Sequence, residues 1–490
     1  MPLFTVDIGL EFGLEKCGRL WYDVWHCERK QAAGGEFMNN VWRKRLPPIC
    51  GAVGGALLAG AVWMCAGLTL GGGGDRLFVA LTLLAIAVLA LALIWFESRR
   101  PDWVLLALLP IGVAMLIRAL CLDHASLDYI DFLSQWYKHF KTNGGIEAIA
   151  GSVGDYNVPY LYFMAAISYS DVPDLYLIKL FSILGDVVLA WGCLRLTRPL
   201  VRGRVGSAAP LIAFGAALLL PTVVLNGAYW GQCDVIYGAL AIHAAALTLD
   251  EKHKAAIALM GAAFSFKLQA IFVLPLWGVL WLAKKVRFWE LWVFLLAYFG
   301  TIVPALLMGK PLGDILGVYL NQMGEYPRLV LNAPSVYQFI PYGTQLNEAL
   351  ASRLGIAAAG ILVLALLGLG FWLGNRLDRE LVMTVAVVLC VGVPFFLPHM
   401  HERYFFLADV FTLCWACANL RRLPAALLAE GASLVSYLVY LRLKYNFVLT
   451  LGEHTFVMPL ETLAMLAALV FAIWVLIGQV RERKNRGELG

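Results

Sequence analysis

Charge is what this sequence has least of. Only 14% of its 490 residues are Asp, Glu, Lys or Arg, against roughly 25% in a soluble domain, while 61% are hydrophobic. A water-soluble fold of this composition would leave apolar surface that it could not cover. Excess charge of one sign is scarce too. The formal net charge is +5, and the basic residues stand in short clusters between apolar runs, with no broad basic face for nucleic acid. No secretory signal opens the chain, because residues 1–46 are polar and aromatic and lack the short apolar stretch and small-residue cleavage site. They read as a polar cytoplasmic segment. Met38, just before Trp42-Arg43-Lys44-Arg45, is an alternative start, and residues 2–37 are expected to be dispensable. No internal repeat is evident. The ten cysteines are scattered, several within apolar runs (Cys65, Cys193, Cys390), and read as small apolar side chains.

Long apolar runs are abundant. A helix that spans the roughly 30 Å hydrocarbon core needs about 20 mostly apolar residues, since every backbone N–H and C=O must be satisfied within it. Such runs fall near 47–70, 77–97, 103–121, 175–196, 207–225, 234–249, 254–266, 269–283, 288–308, 354–374, 380–397, 404–419, 424–441 and 456–478. They predict an all-α polytopic membrane protein of about 12–14 transmembrane helices occupying 47–480, with a basic tail at 481–490. The runs 254–266 and 269–283 are short and broken by Lys267 and Gln269, which suits a re-entrant pair or two short tilted helices.

Lys and Arg settle the expected orientation. With the N-terminus inside, eight connections fall on the cytoplasmic side and all are basic, among them Arg99 and Arg100, Arg195 to Arg204, Lys284 to Arg287, Arg376 and Arg379, and Arg421 and Arg422. Both termini are then cytoplasmic. Two long loops, near 121–174 and 309–353, lie outside, and loops of that length are usually functional. The first carries an amphipathic stretch, Asp128-Tyr129-Ile130-Asp131-Phe132-Leu133-Ser134-Gln135-Trp136-Tyr137. The second carries Tyr326, Pro327, Pro334, Tyr337, Pro341 and Tyr342, a turn-rich aromatic composition suited to a lid.

Several polar motifs stand on that outer side. Asp128 and Asp131 are three apart in helical sequence, so both carboxylates project from one face, either as a general base and its neighbour or as the wet side of an interfacial helix. Gly154-Asp155-Tyr156-Asn157-Val158-Pro159-Tyr160 interleaves rings with turn formers, and suits sugar stacking or an interfacial belt. Tyr229-Trp230-Gly231-Gln232-Cys233-Asp234 crowds polar and ring side chains into one turn. Lys267 and Gln269 interrupt apolar sequence, and an ionisable group there marks a functional site unless it is a structural ion pair with a nearby Asp. Pro398-His399-Met400-His401-Glu402-Arg403-Tyr404 joins two helices at headgroup level, where the planar Arg fork fits phosphate oxygens. His399 and His401 alone are a poor metal ligand set.

Taken together, Leu127-Asp128-Tyr129, Gly154 to Tyr160, Tyr229 to Asp234, Phe266-Lys267-Leu268-Gln269-Ala270 and Met400-His401-Glu402-Arg403-Tyr404 resemble bacterial members of the GT-C glycosyltransferase superfamily, specifically mannosyltransferase-like proteins related to the second GPI mannosyltransferase. The likeness covers roughly residues 100–480. It departs from the family pattern in the extra apolar sequence ahead of the first outer loop. The resemblance implies a GT-C-like helical bundle in a bacterial inner membrane and a polyprenyl-phosphate sugar donor, mannose among the candidates. It implies a glycan, lipid or protein acceptor, and an acidic first-loop residue as base: Asp128, with Asp131 second. Arg403, then His401 and Lys267, match positions expected near the donor phosphate. Asp155, Tyr156, Trp230, Gln232, Asp234, Gln269, Glu402 and Tyr404 complete the expected substrate contacts. A divalent cation could share the phosphate, though nothing in the residues requires one. The rival reading is a transporter or flippase for a lipid-linked sugar, which tends instead to show repeated halves and helices broken near the midplane.

Overall fold

The computed structural model describes residues 35–202, 204, 207–325, 328–340, 348–441 and 457–487. Most of the N-terminal segment lies outside them, as do Tyr326, Pro327, Pro341 and Tyr342 of the expected lid. The chain is an all-α multi-pass membrane protein. In order, its helices are α1 (Gly35–Met64), α2 (Gly73–Ser98), α3 (Pro101–Cys121), α4 (Ser134–Thr142), α5 (Val158–Ile167), α6 (Asp174–Leu200), α7 (Ala209–Leu219), α8 (Pro221–Trp230), α9 (Asp234–Leu249), α10 (His253–Phe266), α11 (Leu268–Leu282), α12 (Phe288–Leu307), α13 (Leu312–Glu325), α14 (Glu348–Leu373), α15 (Arg379–Phe396), α16 (Phe406–Ala418), α17 (Leu423–Tyr440) and α18 (Val457–Asn485). The only sheet among the described residues is a parallel pair of two-residue strands, β1 (Val330–Leu331) and β2 (Met400–His401).

Every expected apolar run is helical, but fewer than the expected 12–14 are full-length spans. Nine helices among the described residues are long and apolar enough to cross a membrane, and the pair α7 and α8, bent by 46° at Pro221, would make ten. Proline at the first position of α8 explains the bend, since it cannot continue the ladder of α7. The remaining runs fold as α9 (16 residues), α10 (14), α11 and α16 (13). At 1.5 Å per residue these rise only about 20–24 Å, less than the roughly 30 Å core. The first span begins at Lys44, close to the start expected at 47, and α1 extends it backward to Gly35.

The basic connections meet at one end of the bundle. Glu97 receives Arg198 at 2.6 Å and Arg195 at 3.7 Å, Arg202 pairs with Asp250 at 2.8 Å, Arg379 donates to the Leu249 carbonyl, and Arg483 pairs with Asp378. The far ends of α9, α10 and α16 therefore sit level with this cluster. Their other ends stop short, which sinks the residues there below the rim of the longer helices. That recess is where the polar motifs converge.

The first long loop is not structureless. Asn157 caps the start of α5 through its Oδ1, which accepts from the Val158 N–H at 2.8 Å. The helix is buried against α12, with the Tyr162 hydroxyl donating to the Thr301 carbonyl and accepting from the Ala305 N–H. A small apolar core separate from the main bundle holds this loop rigidly over the recess.

One helix lays a polar stripe through the bundle. On α17, residues 430, 433, 436, 437 and 440 share a face, and each engages a residue outside the helix. Glu430 accepts from the Thr222 N–H and hydroxyl, Ser433 donates to Asp409 at 2.7 Å, Ser436 donates to Glu461 at 3.1 Å, Tyr437 accepts from Asn226 at 3.1 Å, and Tyr440 donates to Asp128 at 2.7 Å. Polar groups at this depth are retained only with partners, so the stripe fixes the rotation of α17. It delivers Tyr440 to the recess.

Candidate active site

The recess encloses about 220 Å³ and is lined by residues from seven separate stretches of chain, among them Asp128, Tyr156, Gln232, Lys267, Glu402 and Arg403. Asp128 immediately precedes the helical turn Tyr129–Leu133 that follows α3. Its Oδ2 accepts from Gln232 Nε2 at 2.6 Å and its Oδ1 from the Tyr440 hydroxyl at 2.7 Å, while Arg403 stands 3.8 Å away. Gln232 is held in turn: its Oε1 accepts from the Tyr156 hydroxyl at 2.7 Å. Gly231 makes this possible by adopting φ +86°, a left-handed turn that places Gln232 beneath Asp128. Gly154, at φ +63°, packs so closely on Trp136 that a Cβ would come within 2.6 Å of the indole. That contact sets the path of Asp155 and Tyr156.

Asp131 is placed elsewhere. Residues Tyr129–Leu133 form a π-helical turn instead of α-helix, which opens the angle between positions 128 and 131. Asp131 is exposed and does not line the recess, and Gln135 turns back to the Ile130 carbonyl. The two carboxylates expected on one face are thus separated.

A second layer lies deeper. Asp234, buried at the start of α9, pairs with Lys267 through Oδ1 and accepts from Asn226 at 2.7 Å through Oδ2. Lys267 is the extended residue that terminates α10, and its ammonium also sits 4.8 Å from the Tyr156 ring centre. The structural ion pair weighed for Lys267 is therefore present, and it is part of the recess. Arg403 lies between the layers, with Glu402 at 3.1 Å, Asp234 at 3.9 Å and its guanidinium over the Trp230 ring at 5.2 Å. Tyr404 completes the far wall, and Trp230 stacks on Tyr440 with centroids 4.7 Å apart.

Five buried polar atoms among these residues make no hydrogen bond: Asn226 Oδ1, Gln269 Oε1, Glu402 Oε2, Arg403 Nε and Trp230 Nε1. Buried polar groups are rarely left so. Gln269, Glu402 and Arg403 line the recess. Two acceptors and a charged donor left free there suit a ligand that carries both hydroxyls and negative charge.

Electrostatics refine the expected roles. Burial first, then the charges of Arg403 and Lys267, push the His401 imidazole down to about 3, so at neutral pH it supplies no positive charge to a phosphate. Burial pushes the Glu402 carboxyl up from 4.5 to about 7, against the opposing pull of Arg403. A folded-state value raised in this way favours the neutral acid. The stability it contributes is full below about 4.5 and is lost as pH rises through about 7. Thermal unfolding from pH 4.5 to 8 is expected to show this decline in the wild type and a flatter profile in Glu402→Gln. Parallel profiles would remove Glu402 as its source.

Of the expected site residues, Asp128, Asp155, Tyr156, Gln232, Lys267, Gln269, His401, Glu402, Arg403 and Tyr404 line the recess. Trp230 and Asp234 support it from behind. Tyr440, Leu331 and Asn332 also line it and carry no signal in local motifs. Tyr440 was legible only through the 430-433-437-440 spacing on α17. No three of His, Cys, Asp and Glu converge as a metal site among the described residues. Cys414 and Cys417 stand in a C-x-x-C spacing on α16, do not line the recess, and are free thiols.

The fold and the recess define a multi-pass membrane protein with one polar, partly charged cavity at the end opposite its basic connections. No protein-family model matches the chain, and no curated protein is significantly similar to it.

Proposed function

We propose that the protein is a membrane glycosyltransferase of the GT-C type, which moves a sugar from a polyprenyl-phosphate donor to an acceptor hydroxyl on the extracytoplasmic side with inversion. The observation that carries this reading is Asp128. It is a carboxylate fixed by two hydrogen bonds at the mouth of a recess whose inner wall offers the Arg403 guanidinium 3.8 Å away. Base and anion site stand on different elements, and because an in-line displacement puts acceptor and departing phosphate on opposite faces of the anomeric carbon, a bound donor enters between Asp128 and Arg403 and parts the pair. The acceptor hydroxyl gives its proton to Asp128 as its oxygen bonds to the anomeric carbon, and the bond from that carbon to the phosphate oxygen breaks. The departing polyprenyl phosphate carries the electron pair away and is met by Arg403, with Lys267 behind it. The unfilled acceptors Gln269 Oε1 and Glu402 Oε2 suit sugar hydroxyls. Recessed ends on α9, α10 and α16 suit a lipid phosphate that reaches the site from the outer leaflet.

The positive-inside pattern supports an outward orientation for this end, and a polyprenyl-phosphate donor suits a bacterial inner membrane. Cysteine introduced at Asn143 is expected to react with an impermeant maleimide in intact cells, and cysteine at Arg198 only after permeabilisation. The reverse pattern would invert the topology.

The function itself is tested by incubating purified protein with a panel of polyprenyl-phosphate monosaccharides and hydroxyl acceptors, and following release of polyprenyl phosphate by mass spectrometry. Release coupled to glycosylated product is expected for at least one donor. Translocation of a lipid-linked sugar across proteoliposomes, with no release from any donor, would replace the enzyme with a transporter.

A further inference from the structure

The second outer loop enters the recess by a route that its sequence does not signal. Val330 and Leu331 pair in parallel with Met400 and His401, and Asn332 forms a further bridge to His401. The pairing is extended backward, where the His399 N–H donates to the Leu329 carbonyl at 2.7 Å and its ring meets the Arg328 carbonyl at 2.8 Å. His399 itself takes φ +61° to make these contacts. Beyond Asn332 the segment is tied again, with Tyr337 donating to the Phe396 carbonyl at 3.0 Å and Thr462 to the Ser335 carbonyl at 3.4 Å. Residues 328–340 are therefore a strap fastened at one end to the segment that carries Glu402 and Arg403 and at the other to α15 and α18.

The strap faces the cavity at Leu331 and Asn332, and Asn332 is the polar residue of the two. It lines the recess with Asp128 and Gln232, is half-buried, and adopts φ +54°. A left-handed conformation is costly for most residues and tolerated by Asn. Its backbone is engaged with His401, whereas its carboxamide makes no hydrogen bond to any described residue. A side-chain amide with two donors and one acceptor, fixed by its backbone and otherwise unused, can read the orientation of a hydroxyl.

We propose that Asn332 is a specificity-determining residue that hydrogen-bonds a ring hydroxyl of the bound sugar, with the strap 328–340 as its rigid mount. The inference rests on the glycosyltransferase reading above. It differs from a structural role in one measurable respect, because a hydroxyl-reading amide discriminates between epimers and a loop anchor does not.

The test uses Asn332→Gly, which keeps the left-handed backbone and removes the amide, and Asn332→Asp, which keeps the shape and replaces the donors. With the donor that the wild type uses, kcat/KM is measured beside a donor epimeric at a single ring carbon. Asn332→Gly is expected to lower kcat/KM about tenfold for the preferred donor and much less for the epimer, so that the selectivity ratio collapses. Asn332→Asp is expected to shift the ratio while its thermal unfolding stays close to wild type. An unchanged ratio in both variants overturns the inference, even if both rates fall together. Wild-type protein that transfers from no donor sinks the function on which the inference rests, a distinguishable result.

Discussion

Asp128→Asn is expected to lower turnover about 10²–10⁴-fold, the usual worth of a positioned general base, while leaving thermal unfolding near wild type. The local hydrogen bonds make this a clean substitution. Gln232 presents its NH₂ to Asp128 and cannot turn over, because its Oε1 is already taken by the Tyr156 hydroxyl. The Tyr440 hydroxyl has no such constraint and can rotate from donating to accepting. Asn at 128 can therefore set its carbonyl oxygen against Gln232 and its NH₂ against Tyr440, and both contacts survive. What is lost is the capacity to hold a proton. The defect should appear in kcat, with donor binding preserved, since the anion contacts lie on Arg403 and Lys267. Asp131→Asn is the matched control and is expected to behave as wild type, because Asp131 faces away from the recess. Near-normal turnover in Asp128→Asn would remove the base from this position and, with it, the strongest support for the enzyme.

The contrast between those two aspartates shows how far the sequence could be read. Apolar runs located every helix long enough to span, since the requirement for internal backbone bonding leaves no other structure in lipid. Clusters of Lys and Arg sorted the connections to the two ends, and Glu97, Asp250 and Asp378 duly gather them. Local periodicity failed at Asp128 and Asp131, where a π-turn changes the angular step between residues and no side-chain pattern marks it. It failed again at α5, whose ten apolar residues are too few to register as a span. Non-local contacts were invisible altogether. The bond from Tyr440 to Asp128 joins residues 312 apart, and the pairing of residues 330–331 with 400–401 depends on a strand of two residues that no propensity would reveal. Run lengths alone hinted at the recess, because α9, α10 and α16 are too short to reach both surfaces.

Lys267→Met is expected to destabilise the protein by about 3 kcal/mol, the lower end of the range for breaking a buried ion pair. The value depends on what remains around Asp234. Lys267 and Asp234 are both buried and in direct contact, and loss of the ammonium leaves the carboxylate with Asn226 at 2.7 Å and the Arg403 Nε at 3.9 Å. Arg403 is close enough to soften the loss but is shared with Glu402. Met fills the volume of the lysine stem, so the cost falls on the uncompensated charge and not on a cavity. Asp234→Asn in the same chain should therefore restore most of the stability, as judged by thermal unfolding in detergent, because it removes the stranded charge and keeps the hydrogen bond from Asn226. The rescued double variant then separates the two roles of Lys267. If the ammonium serves only its ion pair, the folded double variant binds polyprenyl-phosphate donor as the wild type does. If it also meets the phosphate, donor KM rises in the double variant although the fold is restored. Failure of Asp234→Asn to restore stability would show that Lys267 is held by something other than Asp234, and the two-layer description of the recess would fall.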